Sequence, residues 1–221
     1  MGREAVAVAA KELRLAVRGR TGAATVVAFA ALALALMAFA FGPEAGRARG
    51  FAPGALWLTF FFAGQFALQG TFAVEGENAA LEGFLVSGAD RLALFVGKLA
   101  AGGMVMGAVE AVGVPLYLLF FGHLGEVRLP LLGASLAMGD AGFLAAGVLL
   151  AAVTSHARAG EAVFPLALFP VTVPVLLAGV ATTRAALGGG DGGAWWELLA
   201  GYDALFLALS LLLFESALEV E

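Results

Sequence analysis

Apolar residues fall into six runs, each long enough to cross a bilayer and each closed by a polar, proline-bearing or glycine-rich break. A hydrocarbon core of roughly 30 Å takes about 20 helical residues. On that measure the pattern predicts membrane spans over residues 21–41, 53–74, 97–121, 130–153, 161–183 and 198–214. The first 20 residues differ. Arg3, Lys11, Arg14 and Arg18 recur at helical spacing on one face while Val6, Leu13 and Val17 gather on another, which predicts an amphipathic helix over 3–20. Such a helix lies in the membrane interface with its basic side toward lipid headgroups. A merely solvated N-terminal helix is the alternative. The expected organisation is an interfacial helix over 1–20 followed by one six-helix membrane domain over 21–221.

The breaks between runs carry most of the information. Basic residues, an apolar run and Ala38–Phe39–Ala40 superficially match a secretory signal, but the run exceeds an ordinary signal core, so a retained helix is expected. Residues 42–52, with Arg47 and Arg49 between Pro43 and Pro53, read as a loop. The longest polar connection is 75–97, where Glu75, Glu77, Glu82 and Asp90 face one arginine, Arg91. A short loop with His123, Glu126 and Arg128 joins spans three and four, and 154–160 is another turn. Pro165, Pro170 and Pro174 remove backbone donors from span five, so they are expected to act as helix breakers and make it discontinuous. Trp195 and Trp196, after a glycine-rich loop, read as interfacial anchors of the last span. With the N-terminus inside, Arg3, Lys11, Arg14, Arg18, Arg20, Arg91, Lys98 and Arg158 are cytoplasmic, against Arg47, Arg49, Arg128 and Arg184 outside. That asymmetry predicts cytoplasmic N- and C-termini and puts 75–97 in the cytoplasm.

Composition agrees with the pattern. The chain has 221 residues, 62% hydrophobic and 13% charged, with a mean hydropathy of +0.96. Soluble domains average nearer half apolar and a quarter charged. No cysteine is present, so neither a disulfide framework nor a thiolate metal site is available.

No segment has the form G-x-x-x-x-G-K-[ST] that cradles nucleotide phosphates; Gly97–Lys98 comes nearest but lacks the upstream glycine and the following hydroxyl. If ATP is used, a separate subunit binds it, and this chain is non-catalytic. Glu110 and Asp140 fall near the middle of spans three and four, at similar depth on antiparallel helices. An ionisable group there costs about 2.5–3.5 kcal/mol to insert, so it faces the bundle or a hydrated path. Two readings stand: a substrate pathway, or neutral acids hydrogen-bonded to neighbouring helices. Gly139–Asp140 and Tyr202–Asp203 loosely match the paired motifs of intramembrane aspartyl proteases, but Ala137 replaces a glycine of that pattern and the motif order is inverted. His123 and His156 lie at opposite membrane faces and cannot share a metal or haem; His123 alone has the chemistry of an axial ligand. The Gly103–Gly107 spacing suits close helix packing.

Taken together, these residues resemble the CcmB family, the cytochrome c maturation permeases also called haem exporter protein B. The resemblance covers nearly the whole chain. It rests on Gly42–Pro43, on Ala52, Pro53, Gly54, Ala55, Leu56 and Trp57, on the acidic stretch 75–87 with Leu81 and Glu82, on Gly97–Lys98, and on Phe164, Pro165, Leu166, Phe169, Pro170 and Pro174. Gly88 departs from the proline many relatives carry. The resemblance implies a six-helix, ABC-2-like permease subunit in the cytoplasmic (inner) membrane. It implies two copies paired with a CcmA-like ATPase, working with CcmC-like and CcmD-like membrane subunits and a CcmE-like haem chaperone. ATP would bind the partner and no cofactor this chain, with haem as substrate and no nucleic acid among the partners. It also makes Glu75, Glu77, Asn78, Leu81 and Glu82 the residues of a coupling segment that contacts the ATPase; a solvated acidic loop is the plainer reading. Three activities fit: haem export, mechanical release of the haem-loaded chaperone with nothing translocated, and an ABC-2 permease for lipid, glycan or drug.

Overall fold

In lipid no water satisfies a backbone amide or carbonyl, so an apolar run of membrane length closes its own hydrogen bonds as a helix. The computed structural model describes residues 6–11, 14, 22–41, 45–78, 91–154 and 160–218. Among them are six long helices: α1 Ala23–Ala40, α2 Ala45–Asn78, α3 Arg91–Phe120, α4 Leu129–Thr154, α5 Gly160–Ala186 and α6 Gly193–Leu218. Each holds a stretch long and apolar enough to cross a membrane, and no strand occurs among the described residues. The chain is an all-α, multi-pass membrane protein. Successive crossings put the starts of α1, α3 and α5 and the ends of α2, α4 and α6 on one face, called here the N-terminal face. The three short breaks between the paired helices define the opposite, turn face.

Three expectations need correction. Residues 45–52 are not a loop: α2 begins at Ala45, because Ala and Arg are good helix formers and the ladder, once nucleated, propagates through them. At its other end α2 runs through Glu75 and Glu77 to Asn78, and α3 starts at Arg91 rather than Gly97. Both ends of that connection are thus helical, and 79–90 lie outside the described residues. Finally, Pro165, Pro170 and Pro174 do not break span five, which is one helix of 27 residues. A break at membrane depth would strand several carbonyls, whereas a proline frees one or two that neighbours can reach. Tyr202 of α6 donates its hydroxyl to the carbonyl of Val171, 3.1 Å away and three residues before Pro174. The Thr172 hydroxyl adds a bond to the Leu168 carbonyl at 2.9 Å.

The N-terminal segment is helical over 6–11, with Val8 and Ala9 buried and Val6, Lys11 and Arg14 exposed. Val8 joins the hydrophobic core. The flank against the bundle is thus Val8–Ala9, and Val6, expected on the apolar face, points away from it.

The interior belongs to α2, α3 and α4, with α1, α5 and α6 around them. Lipid tails are as apolar as leucine, so helices associate in a membrane through close packing and polar contacts rather than through the hydrophobic effect. Glycines supply the close approach. Phe60 of α2 lies 2.8 Å from where a Cβ of Gly113 on α3 would stand, and Leu144 of α4 lies 2.9 Å from that position at Gly102. Phe143 fills a notch at Gly64 and Leu68 one at Gly147. The Gly103–Gly107 pair is not used this way: Gly103 meets Leu144 only at 3.9 Å and Gly107 meets nothing within 4 Å. One residue is 100° of helix rotation, and the packed face runs through Gly102 instead.

On the turn face, α3 and α5 end alike. His123 N–H bonds the Leu118 carbonyl at 2.9 Å across Gly122 at φ 70°, and Gly189 N–H bonds that of Arg184 at 2.9 Å across Gly188 at φ 88°. Both are Schellman terminations, which need the left-handed residue glycine supplies. Arg128 then ties the two ends together, its guanidinium on the carbonyls of Ala185 and Gly190 and its N–H on that of Ala186.

Candidate coupling segment and intramembrane polar sites

α2 does not stop at residue 74, the expected end of span two, but continues unbroken through four more residues, 75–78. At 1.5 Å per residue this extension is about 6 Å long. Glu75, Glu77 and Asn78 occupy its last turn, so they ride on the same rigid rod that crosses the membrane. Leu81 and Glu82 lie outside the described residues. Gly97 and Lys98 are both buried inside α3. Their backbone amides belong to a helical ladder, which is not the open glycine loop that wraps a phosphate.

Deeper in the membrane, Glu110 on α3 and Asp140 on α4 are both half-buried, on two helices that pack against each other. Glu110 Oε1 is buried with no hydrogen-bond partner. A third acid, Asp203 of α6, packs against Gly142 of α4, and its Oδ1 is also buried and unpartnered. Asp203 meets α4 at Gly142, two residues and about 200° of helix rotation from Asp140, so the two acids do not share the face an aspartyl dyad requires.

His123 is buried in the turn after α3, its ring 5.7 Å from that of Tyr117 and nearly parallel to it. His156 lies outside the described residues. Trp195 and Trp196 stand in the first turn of α6, where Trp196 Nε1–H donates to the Asp191 carbonyl at 3.1 Å.

A polar cluster that spacing alone does not reveal sits in the turn-side half of the membrane. Trp57 of α2 inserts its indole between Gly139 of α4 and Gly179 of α5, where a Cβ on either glycine would overlap the ring. Its Nε1–H donates to Thr183 Oγ1 at 2.8 Å. Ser135 Oγ of α4 lies 2.6 Å from Thr182 Oγ1 and 3.3 Å from Thr183 Oγ1 of α5. All four side chains are buried. The available signal was their rarity: Ser135, Thr182 and Thr183 are among the few hydroxyls in otherwise apolar spans.

A family model described as "CcmB protein" matches residues 3–221. The chain is 30% identical over 210 residues to a protein of Paracoccus denitrificans named heme exporter protein B, covering 95% of this chain and 96% of the relative. A protein of the same name from Pseudomonas aeruginosa is 29% identical over 201 residues, covering 91% and 90%. Another from Rhodobacter capsulatus is 28% identical over 203 residues, covering 92% and 93%. A match over nearly the full length, on a six-helix membrane fold with the acidic extension and no nucleotide loop, identifies the chain as a member of the CcmB family.

Proposed function

We propose that this chain is the membrane-spanning, non-catalytic subunit of an ABC-type haem exporter serving cytochrome c maturation. The observation that carries the reading is the continuity of α2, which runs from the packed interior to Asn78 without interruption. A partner ATPase docked on the segment of Glu75, Glu77, Asn78, Leu81 and Glu82 would, at Glu75, Glu77 and Asn78, act on a stiff lever. The N-terminal face is then cytoplasmic, in the inner membrane, as its lysines and arginines favour. Two copies face each other. ATP binding closes the ATPase dimer, displaces the two α2 ends, and shifts the population between two arrangements of the helices. CcmC-like and CcmD-like subunits and a CcmE-like haem chaperone are the further partners.

One observation favours a variant of this reading. The glycine notches inside a single copy are filled by Trp57, Phe60, Leu68, Phe143 and Leu144. Haem therefore passes between copies, or the motion is relayed sideways and frees the loaded chaperone with nothing crossing. Sealed vesicles holding the purified complex separate the two: ATP-dependent appearance of haem in the lumen supports export, and chaperone release without it supports relay. Affinity purification of the intact complex, with identification of its subunits and bound haem, tests the whole assignment. Glu82→Lys is expected to uncouple ATP turnover while the complex still assembles. Assembly and turnover both unchanged would remove the coupling role from this segment.

A further inference from the structure

The Trp57 cluster joins three helices by two kinds of contact. The indole is a wedge, held on both sides by glycines of α4 and α5, and its N–H is a directed bond to Thr183. The Ser135 hydroxyl then ties α4 to Thr182 and Thr183 one step further along the same seam. Two more bonds extend the tie to α6, Tyr202 to the Val171 carbonyl and Ser210 Oγ to the Ala145 carbonyl at 3.1 Å. In lipid such contacts, together with small-residue packing, are what holds helices in one register. By contrast α1 has a single polar side chain, Thr25, which is exposed, so its hold on the bundle is apolar packing that can slide.

We infer that Trp57 is a positioning residue that locks α2, α4 and α5 into one unit. Movement of the acidic end of α2 then reaches the turn face through α4 and α5, while α1 stays behind as the reference. The inference rests on the coupling role proposed for the α2 end. Trp57 lies some 20 residues from Asn78, roughly 30 Å along the helix at 1.5 Å per residue, so the input and the lock sit at opposite sides of the membrane. A rod pinned far from the point where it is pushed transmits its tilt. Unpinned, it tilts alone.

The chain has no cysteine, so introduced pairs can be labelled cleanly in the assembled complex. One pair, Asn78→Cys with Ala24→Cys, reports on the N-terminal face between α2 and α1. A second, Leu129→Cys with Phe39→Cys, reports on the turn face between α4 and α1. Spin-label distances are read with and without a non-hydrolysable ATP analogue, in wild type and in Trp57→Ala, Trp57→Phe and Thr183→Val. Both distances are expected to change on nucleotide binding in the wild type. In Trp57→Ala the first change persists and the second is lost. Trp57→Phe keeps the wedge without the N–H, and Thr183→Val removes the acceptor, so each diminishes the second change and their combination adds nothing further. If the first distance does not respond in the wild type, the coupling role of the α2 end fails. If it responds and the second change survives in Trp57→Phe, in Thr183→Val and in any Trp57→Ala complex that assembles, the positioning role is overturned. The conservative variants keep the test decisive should Trp57→Ala fail to fold.

Discussion

The first and fourth helices make an instructive pair. α1 is the most apolar of the six spans, yet over an 18-residue apolar stretch only 17% of it is buried, against 67% for the corresponding stretch of α4, a helix that carries Ser135, Asp140 and four glycines. In water the more apolar helix would be the more deeply buried. Here the order reverses, because lipid solvates leucine and valine as well as a protein interior does and leaves packing and polar contact as the source of association. Leu32, Leu36 and Phe39 of α1 therefore stay on the outside, and Gly139, Gly142 and Gly147 of α4 receive side chains from α2 and α6.

That reading can be broken in graded steps. The largest effect is expected from Trp57→Ala, which empties a cavity bounded by α4 and α5 and abolishes one buried hydrogen bond. A loss of about 3 kcal/mol is expected, seen as a lowered unfolding midpoint in detergent or mixed micelles. Next, Gly139→Ala forces the indole out of its slot; overpacking of this kind costs about 1–3 kcal/mol in the same assay. Ser135→Ala removes hydroxyl bonds between α4 and α5, and about 0.6 kcal/mol is expected, the average for such contacts in membranes. The smallest effects belong to exposed positions. Gly107→Ala on α3 and Leu36→Ala on α1 are expected to stay within about 0.5 kcal/mol of wild type. A Gly107→Ala variant as unstable as Gly139→Ala would show that glycine content, not the notch, governs the packing.

The number and placement of the spans were legible because each apolar run exceeds the membrane thickness and each break holds residues lipid rejects. The ends were not. Residues 45–50 and 75–78 are polar enough to read as loop, but a helix extended into the interface keeps its ladder, and nothing local stops it. The prolines of span five misled for a related reason. Each withholds one amide and leaves the rest of the ladder in place, and Tyr202 of another helix adds a bond to the Val171 carbonyl from 31 residues away. Antiparallel spans with known ends set Glu110 and Asp140 at a common expected depth, and the structure adds that Glu110 Oε1 is buried without a hydrogen-bond partner. Trp57, although prominent in the family resemblance, gave no sign of its partners, because Gly139, Gly179 and Thr183 lie 82 to 126 residues further along the chain.

The sequence determined by itself that this chain crosses the membrane six times, carries an acidic segment between spans two and three, and has no G-x-x-x-x-G-K-[ST] motif. These are properties of single segments set against a slab of fixed thickness. Which glycines form notches, which hydroxyls meet and which helix keeps to the lipid were decided only by the tertiary structure. Each depends on the rotation of one helix against another, and a residue's period along the chain leaves that angle free.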